Sequence, residues 1–256
     1  MFSPTATYWL ATAFVLGIPV AVLAKLVINA RNSNYTPGQF FVLTYGFLTA
    51  RILWRALPPD PLPVATNAGA VIVCNHRGPF DPMFVQLGAD RMGRWLVARE
   101  YCEHPAMAWF FRICRSIPVG RGGIDTAATK IAIRHAAQGG LVGMFPEGRL
   151  NMTESLLLPG RPGAALVALK AHVPVIPCYI AGQPRAKSIL GTLILPAHAR
   201  VSIGQAIDLS KYFGRENERE VLNELTLRFL KEIATLAGQP DFEPRLAGRR
   251  WKPDGD

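Results

Sequence analysis

The run Val71-Ile72-Val73-Cys74-Asn75-His76-Arg77-Gly78-Pro79-Phe80-Asp81 constrains this chain more than any other stretch. Its β-branched opening reads as a buried strand. Gly78-Pro79 breaks that strand, and Asp81-Pro82 reads as a helix cap followed by proline at the first helical position. So sharp a strand-to-helix turn carries His76 at the strand end and Asp81 at the helix start, where the fold can bring the two together. A carboxylate that holds one imidazole nitrogen leaves the other free as a general base. Read singly, Asp81 is a helix cap and His76 a loop histidine.

Two further pieces change that balance. Another apolar strand, Leu141 to Phe145, runs into Phe145-Pro146-Glu147-Gly148-Arg149, and a later one contains Val173-Pro174-Val175-Ile176-Pro177. With His-x4-Asp ahead of them in this order, the chain resembles the glycerolipid acyltransferase family, the lysophosphatidic acid acyltransferases and their relatives. The resemblance covers roughly Val71 to Gly182. It implies acyl transfer from a thioester, acyl-CoA or acyl-carrier protein, to the free hydroxyl of a lysophospholipid, with no cofactor beyond that co-substrate. Under it, His76 is the base and Asp81 fixes its tautomer. Arg121, in Ile117-Pro118-Val119-Gly120-Arg121-Gly122, holds the acceptor phosphate, and Glu147, Gly148 and Arg149 belong to the acceptor site. For Glu147, bracing its own loop is the second reading, close behind acceptor binding.

The chain departs from the commonest family pattern in two places. Arg149 follows Gly148 directly, where most members have an intervening Thr, and Gly120 stands where many have Asp. The Phe-Pro-Glu-Gly-Arg form occurs in the branch that reacylates lysophosphatidylethanolamine. The leading expectation is phosphatidic acid made from 1-acyl-glycerol-3-phosphate, with another lysophospholipid as the alternative. No Gly-x-Ser-x-Gly elbow is present, so direct attack by the acceptor hydroxyl is simpler than an acyl-enzyme.

Around this centre, short apolar runs alternate with helical patterns: Val71–Cys74, a helix from Pro82, Trp95–Ala98, a helix over His104 to Cys114, Ile117–Val119, a helix over Thr126 to Gln138 capped by Asp125 or Thr126, then Gly163 to Ala171 and Val175–Ile180. That alternation predicts an α/β fold with a mixed, largely parallel sheet flanked by helices, as in glycerolipid acyltransferases. Leu193–Leu195 and Arg200–Ile203 are expected to pair as strands. Val221 to Leu236 reads as an amphipathic packing helix.

Residues 1–58 are expected to be membrane-anchoring helices, 59–238 the acyltransferase domain and 239–256 a tail. Tyr8 to Ala24 is uncharged and mostly apolar, just long enough to span a bilayer. Phe40 to Leu57 mixes apolar residues with Arg51 and Arg55, the pattern of a helix lying in the interface with Trp54 at head-group level. Composition supports a lipid surface: half the residues are hydrophobic (50%), only 18% are charged, and the net charge is +10. No acidic residue precedes Asp60, whereas Lys25, Arg31, Arg51 and Arg55 do. Those cations favour a catalytic domain facing the cytoplasm. No nucleic-acid motif accompanies them.

Two readings from other classes use the same residues. One is a metal hydrolase with His76, Asp81 and Glu147 as ligands, but no further His or Cys lies at ligand spacing. The other is a non-catalytic lipid-binding protein on the same fold, for which an intact His76–Asp81 pair has no purpose. The cysteines (74, 102, 114 and 178) lack metal-like spacing and read as free thiols.

Overall fold

The computed structural model describes residues 3–120, 125–185 and 188–248. Two helices come first, α1 (Pro4–Arg31) and α2 (Pro37–Leu53). There follow β1 (Ala70–Cys74), α3 (Asp81–Gln86), β2 (Arg94–Ala98), α4 (Arg99–Glu103), α5 (Ala108–Ile113) and β3 (Ile117–Val119). The remainder is α6 (Thr126–Ala137), β4 (Leu141–Met144), α7 (Gly163–Ala171), β5 (Val175–Ala181), α8 (Ile189–Ile194), β6 (Arg200–Ile203) and α9 (Arg219–Leu236). Among the described residues, six strands form one sheet in the order β3-β2-β4-β1-β5-β6. All neighbours are parallel except β5 and β6.

The β-branched run of β1 lies near the middle of this sheet because both of its faces are covered. Val71 and Val73 point into one apolar core, under α6, α7 and α9. Ala70, Ile72 and Cys74 point into the other, with Phe84 and Val85 of α3 and Ala50 of α2. A strand buried on both faces can be apolar throughout, and this one is. The opposite core is narrow where α6 approaches α7: Ala128, Ala132 and Ala136 form a small-residue stripe four apart on the buried face. Asp125 starts α6 by accepting a hydrogen bond from Ala128 N. Gly139 follows at φ +85°, with Asn67 O 2.5 Å from where a Cβ would sit, so only glycine fits that turn.

Four expectations are corrected. The helix read over His104 to Cys114 is only α5 (Ala108–Ile113), and a separate α4 ends before it, because Pro105 holds His104 extended and breaks the helix there. Leu193–Leu195 is no strand: Ser188 accepts from Gly191 N and starts α8, and β6 pairs with β5 instead. Asp81 is no cap. Phe80 occupies the cap position without a side-chain bond, and the Asp81 carboxyl turns back toward the preceding loop. Trp54 is fully buried, its ring 5.1 Å from Phe80 and 5.4 Å from Phe84, which places it in the core.

The same contacts join α2 to the sheet. The Gln39 side chain donates to Ile113 O, and Tyr35 Oη donates to Ala89 O. The other side of α2 is unpartnered, with Phe41, Tyr45, Leu48 and Ile52 all exposed at helical spacing. Described apolar side chains along α1, from Val15 to Ile28, are exposed as well. Among the described residues no helix is long and apolar enough to cross a membrane.

Candidate active site

His76 and Glu147 lie just past the ends of β1 and β4, adjacent parallel strands, so the sheet itself brings them to one edge. Three hydrogen bonds converge on one carboxylate oxygen of Asp81. Arg77 N (2.6 Å) and Gly78 N (2.9 Å) donate to Oδ2, and His76 Nδ1 lies 3.0 Å from it. A carboxylate with two backbone donors can only accept from the ring, so Nδ1 carries the proton and Nε2 keeps its lone pair. Asp81 is 0% exposed, whereas the His76 side chain keeps 18% of its surface open. The base is reachable while its partner is sealed.

The ring is held flat as well as turned. Phe145 stacks on the imidazole at 3.7 Å and 6°, and Trp95 packs against Phe145 at 5.0 Å. Trp95 fits there because Gly143 lies beneath it; a Cβ at that glycine would stand 2.3 Å from the indole.

The backbone of His76 is fixed from the neighbouring segment. Its N–H donates to Glu147 Oε1 (2.8 Å), and its carbonyl accepts from Asn151 N (2.7 Å). The other Glu147 oxygen accepts from Leu158 N at 2.8 Å. Glu147 is 0% exposed, and burial pushes its carboxyl up to about 8, against the pull of those amides and Arg77. Both oxygens are engaged by backbone amides, which is the bracing geometry. Gly148 turns the chain at φ +71°, with Arg161 Cδ 2.9 Å from the position of a Cβ. Arg149 follows, half-buried. Arg121 lies outside the described residues.

Sequence reading missed three residues here. Arg77 is buried, and its guanidinium donates to the carbonyls of Thr153 (2.6 Å), Ser155, Leu156 (3.3 Å) and, at longer range, Asn151. Asn151 is 0% exposed and ties the same loop to itself through Ser155 O. Asn75 donates to Ile180 O and accepts from Ile180 N, continuing the β1–β5 pairing one step past the strand. Only the placement of Asn75 and Arg77 on either side of His76 could have singled them out.

A nucleophile other than substrate finds little support. Burial pushes the Cys178 thiol up to about 12, and that of Cys74, two residues before His76, well above its ordinary value. All the cysteines are free. Among the described residues no group of three or more His, Cys, Asp and Glu side chains is placed to hold a metal ion.

Comparison with known proteins adds identity to this geometry. Residues 59–181 match the family model described as Acyltransferase. A 1-acyl-sn-glycerol-3-phosphate acyltransferase of Limnanthes douglasii is 28% identical over 120 residues, 46% of this chain and 42% of that protein. One from Bacillus subtilis is 23% identical over 124 residues, 48% of this chain and 61% of its own length. The chain therefore spans less than two thirds of either relative. The crystal structure of the 1-acyl-sn-glycerophosphate acyltransferase PlsC from Thermotoga maritima superposes with a TM-score of 0.59 at 21% identity. That superposition covers 88% of this chain and 92% of PlsC, and it shows a shared fold.

Proposed function

Because this chain belongs to the glycerolipid acyltransferase family, we propose that it moves a fatty acyl group from an acyl thioester to the free hydroxyl of 1-acyl-glycerol-3-phosphate, giving phosphatidic acid. The observation that carries the reading is His76, with Nδ1 on the sealed Asp81 carboxylate and its imidazole partly exposed. A hydroxyl is a poor nucleophile near neutral pH. As it attacks the thioester carbonyl, Nε2 takes its proton, and Asp81 stabilises the imidazolium that forms. The tetrahedral intermediate then expels the thiolate, and the imidazolium returns the proton to that sulfur. The new ester bond replaces the thioester, and His76 ends as it began.

By the family resemblance, Arg121 binds the acceptor phosphate, with Gly148 and Arg149 at the acceptor side of the turn. A guanidinium suits a phosphate because its donors form a planar fork. The exposed stripe of α2 and the apolar α1 supply the area for attachment to a membrane, with Arg51 and Arg55 at anionic head groups. The basic residues after the first apolar run favour a domain on the cytoplasmic side. Acyl-CoA and acyl-carrier protein are both suitable donors. A second reading, acylation of lysophosphatidylethanolamine, is favoured by one observation, the Phe145–Arg149 turn without threonine.

A lipid-product assay tests this. Membranes carrying the protein are given oleoyl- or palmitoyl-CoA with lysophosphatidic acid and with lysophosphatidylethanolamine in parallel. Phosphatidic acid formed by the unmutated protein, and reduced roughly 10²–10⁴-fold by His76→Ala, is the expected result. Turnover of lysophosphatidylethanolamine alone moves the acceptor to that lipid. Equal activity in His76→Ala refutes the mechanism.

A further inference from the structure

Because the strands next to β1 run parallel to it, the sheet has an edge where they begin, about 15 Å from the edge where they end. His76 occupies the second edge. Alongside the outer strands β2 and β3, from Arg94 at the start of β2 to Pro118 within β3, lies a cavity of about 320 Å³ also lined by Arg112, Arg115, Cys102, Ser116 and Phe111. No acidic residue is among its described lining. Other arginines of this chain stand beside carboxylates: Arg91 with Asp90, Arg99 with Asp125, Arg215 with Glu218. Arg94, Arg112 and Arg115 have no such partner among the described residues.

Three guanidinium groups around one cavity repel each other unless an anion comes between them. Arg94 opens β2 half-buried, and both its burial and the nearby Arg115 disfavour its charge. The field of this cluster reaches His135, whose imidazole is pushed down to about 4 by burial first and then by Arg94, Arg115 and Arg91. His135 Nε2 is itself buried without a hydrogen-bond partner. Arg115 moreover sits at φ +53°, just past the end of α5, where glycine would be the least strained residue. An arginine is kept there at a conformational cost.

We propose that this cavity is a phosphate-binding site separate from the catalytic one, taking a phosphate ester from a lipid head group or a soluble metabolite. Arg112 and Arg115, exposed at the rim, supply planar forks for the phosphate oxygens, and Arg94 supplies charge from below. The start of α2 is tied to this end of the molecule through Gln39 and Ile113, so the site lies beside the helices assigned to the membrane. The inference does not depend on the acyl-transfer reading.

Cys102, half-buried in the cavity wall, gives a reporter on site. The full chain in neutral detergent is treated with iodoacetamide at alkaline pH, because burial raises the Cys102 thiol, and labelling is followed peptide by peptide. Inorganic phosphate is expected to slow Cys102 alkylation saturably, by about tenfold, and the Arg112→Gln/Arg115→Gln protein should lose that protection while keeping its melting temperature. The comparison is made with and without phosphate within each variant, so a change in intrinsic thiol reactivity cancels. Should Arg94→Gln fail to fold, the exposed pair carries the test alone. Phosphatidylcholine vesicles with and without phosphatidylglycerol, and adenosine 3′,5′-bisphosphate, separate the sources. Protection by anionic vesicles assigns a head group, and protection by the bisphosphate assigns a soluble ester. No protection by any of these probes, or protection that survives the double substitution, overturns the proposal.

Discussion

Two acids sit in two turns at the same edge of the sheet, and they are used differently. Asp81 collects two backbone amides and one side chain, and the imidazole it holds is partly open to solvent. Glu147 collects only backbone amides, one of them from His76, and nothing of it reaches solvent. The first aims a reactive group, and the second holds still the strand end that carries it. The difference teaches that proximity to a catalytic residue does not make an acid catalytic; what its free lone pairs can reach does. In the mechanism proposed above, Glu147 is a positioning residue.

The comparison can be broken by removing the clamp beneath both turns. Arg77→Met deprives several loop carbonyls of their donor and is expected to cost about 3 kcal/mol of stability, read as a lowered melting temperature and early proteolysis over residues 150–157. An unchanged melt would show that the loop is held by other means. A smaller effect sharpens the contrast. Glu147 has its pKa raised from 4.5 to about 8, so the folded chain binds a proton that the unfolded chain has released in that window. Its contribution to stability is therefore full below about 4.5 and is lost as pH rises toward about 8. Glu147→Gln should flatten that decline in melts run from mildly acidic to mildly alkaline pH. A slope identical to the unmutated protein's would place the titration elsewhere. The smallest effect belongs to the stacked ring: Phe145→Leu loses the flat contact with His76 and is expected to cost about 1 kcal/mol, with a modest fall in activity.

What the sequence revealed follows from the range of each interaction. β1 and its turn were legible because β-branched residues, Gly78-Pro79 and Asp81-Pro82 act locally, within a few residues of themselves. The parallel sheet followed from the alternation of elements. The sequence left Glu147 between acceptor binding and bracing its loop, because its partners are main-chain amides as far as 71 positions away. Arg77 was missed for the same reason, since carbonyls carry no residue identity. Trp54 was placed in a membrane because an amphipathic pattern shows which residues seek an apolar phase, not whether lipid or Phe80 and Phe84 provide it. The six apolar or small residues of α8 have no decisive period, and the Ser188 cap settled them as helix. Arg94, Arg112 and Arg115 are scattered along the chain and only the start of two strands and the end of α5 assemble them.

The most direct test of the central claim compares the two acids in one assay. Asp81→Asn and Glu147→Gln are prepared alongside the unmutated protein, and kcat for acyl transfer is measured on the folded fraction of each. Asn can accept from the backbone amides but no longer fixes the imidazole tautomer or stabilises its cation, so kcat should fall by about 10²–10⁴ with little change in melting temperature. Glu147→Gln should keep kcat within about tenfold, since it alters only the support of His76. The reverse order, with Glu147→Gln nearly inactive and Asp81→Asn nearly normal, would contradict the account.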